Sequence, residues 1–234
     1  MKTSNKILSI TGLAIVAVLL ASVIGSRIFL NKFSSTFKSE NPNYSKFDEV
    51  YTDIIDFTNL DVTGDWDITL IYGTTYKISI NGRTSIENPH KIEQKGSTLF
   101  LTENNQPDIN KKLNVHITIP EIKELKSNGG LKLELLGFSQ QKLRLDFIGG
   151  TWVKGDNCRF ENLLLTSTGA INLEFENIQT VNADARLSGA GYLIFNMDGG
   201  VLSGSAAGAM NIEYYGNAKQ MIQTAGLASI SHQD

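Results

Sequence analysis

One motif limits what this chain can fold into more than any other feature. A glycine, usually beside a second small residue, is followed by alternating apolar positions. It returns at Gly129, Gly149, Gly169, Gly189, Gly208 and Gly226, at intervals of 20, 20, 20, 19 and 18 residues. Spacing this regular requires each unit to meet its neighbours in the same way, as in stacked-repeat proteins. Two, four and six residues after the glycine stand Leu131, Leu133 and Leu135 in the first copy, and Ile171, Leu173 and Phe175 in the third. Before it stand Leu143 and Leu145, or Leu163 and Leu165. Alternation with period two on both flanks is strand periodicity. Each unit therefore reads as two short strands hinged at a glycine corner. Pro120 is the last proline, as expected where backbone N–H groups are committed to a ladder.

Stacking places equivalent residues about 4.8 Å apart. The fourth position after the glycine reads Leu133, Val153, Leu173, Leu193, Ile212 and Ile230, an inward aliphatic column. The fifth reads Glu134, Lys154, Glu174, Ile194, Glu213 and Ser231 and points outward, its Glu-Lys-Glu run forming a charge ladder. A residue without Cβ suits a corner that needs an unusual backbone angle or close stacking. The predicted fold is all-β: a single parallel β-helix, a solenoid of repeats with about 20 residues per rung over 127–234. Residues 47–126 read as leading strands and a cap of the same helix, with turns at Gly64, Gly73, Gly82 and Gly96.

The N-terminus is of different material. Lys2 and Lys6 precede Ile7–Ser26, a run without a charge that would reach roughly 30 Å as a helix. Residues 1–30 are expected to be an uncleaved transmembrane anchor, with a cleaved signal peptide as the rival, because the run exceeds the usual apolar core of a signal. No cysteine follows it, which excludes a lipoprotein anchor. Basic residues lie on both sides, so orientation is open. Residues 31–46, polar and rich in Ser and Asn, read as a flexible linker, leaving 47–234 as the folded domain.

Without residues 1–32 the chain holds 17 basic against 24 acidic side chains, a net of −7. This balance argues against nucleic acid as a partner and against electrostatic docking on anionic lipid. His90, His116 and His232 are scattered without ligand spacing, and no metal or cofactor is expected. Cys158, the single cysteine, has no partner for an intramolecular disulfide and reads as a turn or core thiol.

The order of segments resembles a family. "LDVTGDWDITLIYG", "YKISING", "STLFLT" and "VHITIPEIKELKSNGG" lead into corners such as Gly169-Ala170-Ile171-Asn172 and Gly208-Ala209-Met210-Asn211. Together, over 47–234, they resemble the putative auto-transporter adhesin, head GIN domain family. The resemblance implies a right-handed β-helix in a bacterial envelope. It implies no reaction and no catalytic residues.

β-Helices also carry polysaccharide lyases and hydrolases, which need converging carboxylates and a basic residue on one face. Arg144 with Asp146, and Asp184 with Arg186, face outward two rungs apart, with Leu164 and Thr166 between them. They read as solvated ion pairs, and the chain is expected not to be an enzyme. A calcium-binding Gly-Gly-x-Gly-x-Asp pattern is missing.

The candidate partner-binding face is the third position after each glycine: Lys132, Trp152, Asn172, Tyr192 and Asn211, followed by Ser229. Exposed aromatics beside amides can stack on and hydrogen-bond a sugar chain, or anchor a protein. The expected function is an adhesin-like binding module held to the membrane through Ile7–Ser26, facing the periplasm or the cell exterior, with a glycan or envelope protein as partner. A membrane-anchored scaffold acting as a homo-oligomer is the alternative.

Overall fold

The computed structural model describes residues 49–81, 91–103 and 113–233. The membrane segment Ile7–Ser26 and the linker lie outside the described residues. Among the described residues no helix is long and apolar enough to cross a membrane.

The described strands form an 11-stranded sheet. β1 (Glu49–Tyr51), β4 (Lys77–Asn81), β7 (Leu113–Ile119), β3 (Trp66–Tyr72), β8 (Glu124–Leu136), β2 (Asn59–Thr63), β6 (Thr98–Thr102) and β5 (Lys91–Lys95) are neighbours in that order. β9 (Ser139–Asp156) lies on β8, β10 (Cys158–Gly226) on β9 and β11 (Ser229–Gln233) on β10.

This arrangement corrects the expected single parallel β-helix. β1 with β4, β4 with β7, and β5 with β6 are antiparallel. The sheet is therefore mixed, and it curls into a half-barrel in place of a solenoid of repeats. The handedness that the resemblance implied falls with the single helix. The reason is local at one edge. Only Gly96 and Ser97 join β5 to β6, Gly96 has φ +58°, and a two-residue connection can join antiparallel strands alone. Gln94 closes the turn by donating from Nε2 to the carbonyls of Gly96 (2.9 Å) and Ile55 (2.6 Å).

Parallel pairing is confined to the rest. β8 pairs β2 through its first half and β3 through its second, so Gly64 and Asp65 between β2 and β3 lie beside Gly129 and Gly130. Asp65 fastens this junction: its Oδ1 accepts from Gly130 N at 2.8 Å, and its own N–H donates to Glu103 Oε2 at 2.8 Å. The 20-residue spacing survives as pairing register, with Gly129 opposite Gly149 and Gly149 opposite Gly169.

The core follows from the alternation. Leu133, Val153, Leu173, Leu193 and Ile212 are fully buried, and Phe57, Phe138, Phe147, Phe160, Phe175 and Phe195 fill the interior around them. Ile194 alternates with the inward Leu193 and Phe195 and so faces outward as expected, but it is only 6% exposed. Cys158 is interior. Its sulfur accepts from Phe138 N–H at 3.3 Å, and burial pushes its thiol above the ordinary range.

Candidate functional site

The glycines position everything outside them. Gly129, Gly149, Gly169, Gly189, Gly208 and Gly226 all have positive φ, from +80° to +133°. A Cβ on Gly149 would meet the carbonyl oxygen of Gly129, one on Gly169 that of Gly149, and one on Gly189 that of Gly169. The column begins earlier than the regular spacing reveals, because a Cβ on Gly129 would meet the carbonyl of Gly64. Gly64 is followed at two, four and six residues by the buried Trp66, Ile68 and Leu70, the pattern of the later copies. That signal was available at an irregular distance.

Past each glycine the strand starts in the same phase, so third and fifth positions line one outer face. Lys132 lies opposite Trp152, Trp152 opposite Asn172, and Asn211 opposite Ser229. Two aromatic groups on this face are tied by the same device. Trp152 Nε1 donates to Glu174 Oε1 at 3.0 Å, and Asn172 Nδ2 donates to the same oxygen at 2.7 Å. Tyr192 OH donates to Glu213 Oε2 at 3.0 Å, while Asn211 Nδ2 donates to Glu213 Oε1 at 3.2 Å. Ser229 Oγ continues the chain to Asn211 Oδ1 at 3.0 Å.

The lysines act on the indole from either neighbouring position. Lys132 Nζ lies 5.1 Å and Lys154 Nζ 5.5 Å from the Trp152 ring centre, within cation–π range. Lys132 also pairs with Asp67 at 3.5 Å and Lys154 with Glu134 at 2.8 Å. The expected Glu-Lys-Glu ladder is thus half present, because Glu174 turns instead to Trp152 and Asn172. The named side chains from Lys132 to Tyr192 are half-buried, and Asn211 is exposed. His116, at the other end of this face opposite Thr69, is pulled below its ordinary pKa by burial, opposed by Asp67 and Glu134.

Tyr192 is pushed up to about 12, first by burial and then by its bond to Glu213 and the carboxylates around it. A raised acid favours the neutral phenol in the folded state. Its contribution is fully present below the ordinary value of 10 and is lost as pH rises towards 12. A Glu213→Gln chain removes the charge, and the Tyr192 transition should move down towards 10, read from tyrosinate absorbance against a Tyr192→Phe reference. An unmoved transition would mean that burial alone sets it.

The pairs weighed for catalysis stay separate. Arg144 Nε reaches Asp146 Oδ2 at 2.7 Å and Glu124 Oε1 at 3.2 Å, and Arg186 reaches Asp184 at 2.9 Å, all on an open surface. Each arginine neutralises the carboxylate two residues away, and nothing converges on a reacting atom. Among the described residues no group of three or more His, Cys, Asp or Glu side chains could hold a metal ion.

One further concavity was not singled out from sequence. A groove of about 510 Å³ is lined by residues from Ser139 to Asn196, Arg159 among them. Arg159 Nη1 donates to Gln179 Oε1 at 3.1 Å and pairs with Asp198 Oδ2 at 2.5 Å.

The described residues thus define an all-β protein, a mixed half-barrel sheet with a polar, aromatic-bearing outer face. Over residues 56–234 it matches the model of the family described as putative auto-transporter adhesin, head GIN domain, and the chain belongs to that family. A solved structure of a putative adhesin from Bacteroides fragilis is similar in fold, with TM-score 0.59 and 19% identity over 79% of this chain and 95% of that one. A putative lipid binding protein from Parabacteroides distasonis has TM-score 0.48 and 15% identity, over 80% of this chain and 96% of that one. A putative adhesin from Parabacteroides merdae has TM-score 0.42 and 16% identity, over 80% and 95% respectively. No curated protein matches the chain.

Proposed function

We propose that this protein is a non-catalytic binding module of the bacterial envelope, adhesin-like in action, which presents the Lys132–Trp152–Asn172–Tyr192–Asn211 face to a glycan or protein partner. Membership of an adhesin family supports a binding role. The observation that carries the choice of face is the paired tethering of Trp152 to Glu174 and Tyr192 to Glu213. Groups already fixed by hydrogen bonds lose little rotamer freedom on binding, which makes the face a preorganised platform. In this reading Ile7–Ser26 holds the module to a membrane.

The test is binding of the full chain to a glycan array and to immobilised envelope proteins, with Trp152→Ala/Tyr192→Ala beside the wild type. Losing two aromatic anchors is expected to weaken binding by at least about 30-fold, since each such anchor is commonly worth over 1 kcal/mol. Circular dichroism should show the double variant folded. Binding unchanged in the folded double variant would mean that the partner uses another surface.

A further inference from the structure

A second surface differs from the aromatic face in how its polar groups are spent. On the aromatic face the tips are committed to one another. In the groove beside Arg159, the side-chain amides of Asn157 and Asn177 and the carboxylates of Asp156 and Glu176 have no hydrogen-bond or ion-pair partner among the described residues. All four are exposed at the groove wall. Asn157 holds a left-handed backbone, φ +53°, at the bend between β9 and β10.

The Arg159 guanidinium spans to Gln179 and Asp198, 20 and 39 residues on, and so clamps three successive turns through one nitrogen. Its remaining N–H groups are left for other acceptors. A smaller depression of about 190 Å³, lined by Gln140, Gln141 and Glu161, adjoins it and shares Ser139 and Arg159. Together they make one polar cleft.

From this arrangement we infer that the cleft is a binding site for an uncharged glycan chain, laid across the stacked turns. Amides, carboxylates and a clamped guanidinium together offer both donors and acceptors, which is what sugar hydroxyls require. Asp198 neutralises Arg159, and Asp156, Glu176 and Glu161 line the cleft as well, so an anionic ligand is disfavoured. No aromatic residue lines the cleft, which excludes a flat hydrophobic ligand. Successive turns are about 4.8 Å apart, close to the length of one sugar ring along a chain. Ser139, Asn157, Asn177 and Asn196 come from four consecutive turns, so affinity should rise with chain length until four sugars are seated.

The experiment uses the full chain and neutral cello-, malto- and chito-oligosaccharides of increasing length, with a uronic acid oligomer as the anionic probe, read by titration calorimetry. The variant is Asn157→Gly/Asn177→Ala. Glycine keeps the left-handed turn, so the amide is removed without strain. The expected result is binding of at least one neutral series, strengthening with length. It should fall about tenfold in this variant, since two hydrogen bonds together are worth about 1.4 kcal/mol. The same titrations in a Trp152→Ala/Tyr192→Ala background remove any glycan bound by the aromatic face, and the length-dependent binding that belongs to the cleft should persist there and still fall with the asparagine changes. Failure to bind any neutral series, preference for the uronic acid, or loss only in the aromatic variant would each overturn the assignment. Melting curves on the Asn variant exclude unfolding as the cause of a loss.

Discussion

A Gly189→Ala chain is expected to lose about 4 kcal/mol of stability or to fail to fold. Two costs meet at this position. The residue sits at φ +129°, where a side chain strains the backbone by about 1–3 kcal/mol. The added Cβ would also lie against the carbonyl oxygen of Gly169, which is fixed in the sheet and cannot swing away as a side chain could. Overpacking of that kind adds about 1–3 kcal/mol. Against a total stability of about 5–15 kcal/mol, the sum removes a large part of the margin. Gly150 is the internal control: nothing lies within 4 Å of its Cβ position and its φ is not positive. Gly150→Ala should stay within about 0.5 kcal/mol of wild type or gain slightly from a stiffer unfolded chain. Urea midpoints of the two variants decide the matter. If Gly189→Ala unfolds where Gly150→Ala does, the glycine column does not carry the strain that its geometry indicates.

The same column shows how far the sequence could be read. The period-two alternation gave the inward positions, and Leu133, Val153, Leu173 and Leu193 are buried as expected. A local pattern records which side of a strand is apolar. It does not record which strand comes to lie alongside, and that is where the solenoid expectation failed. β4 finds β7, with Ile78 opposite Ile117, only after the chain has run from Asn81 to Leu113. No residue in "KISIN" distinguishes that antiparallel partner from a parallel one. The Gly96-Ser97 turn was a legible exception, since so short a connection forces reversal.

The candidate face was legible to a similar depth. Spacing alone put Lys132, Trp152 and Asn172 in one column, and their register agrees. Spacing could not show that the polar edge of Trp152 reaches Glu174 or that lysines lie over its ring, because these depend on rotamers. The cleft beside Arg159 escaped for another reason. Its signal is a pair of short stretches with adjacent acid and amide, Asp156-Asn157-Cys158 and Glu176-Asn177-Ile178, also 20 residues apart. Exposed polar residues are expected on any surface, and only the concavity distinguishes these.

The interior offers predictions of opposite sign at two buried positions. Phe175 is fully buried in the core. Phe175→Ala should therefore open a cavity that its neighbours fill only in part, at a cost of about 3–5 kcal/mol. Thr151 is also fully buried, between Leu131 and Ile171 in register, and its hydroxyl has no hydrogen-bond partner among the described residues. That oxygen lost its water on folding and gained nothing in return, a deficit of about 1–3 kcal/mol. Valine has nearly the same shape without the polar atom, so Thr151→Val should gain about 1 kcal/mol and raise Tm. Both are read by thermal and urea unfolding under one set of conditions. A loss on Thr151→Val would show that the hydroxyl is satisfied in solution by bound water, and the layer around it would then be wetter than its aliphatic neighbours suggest.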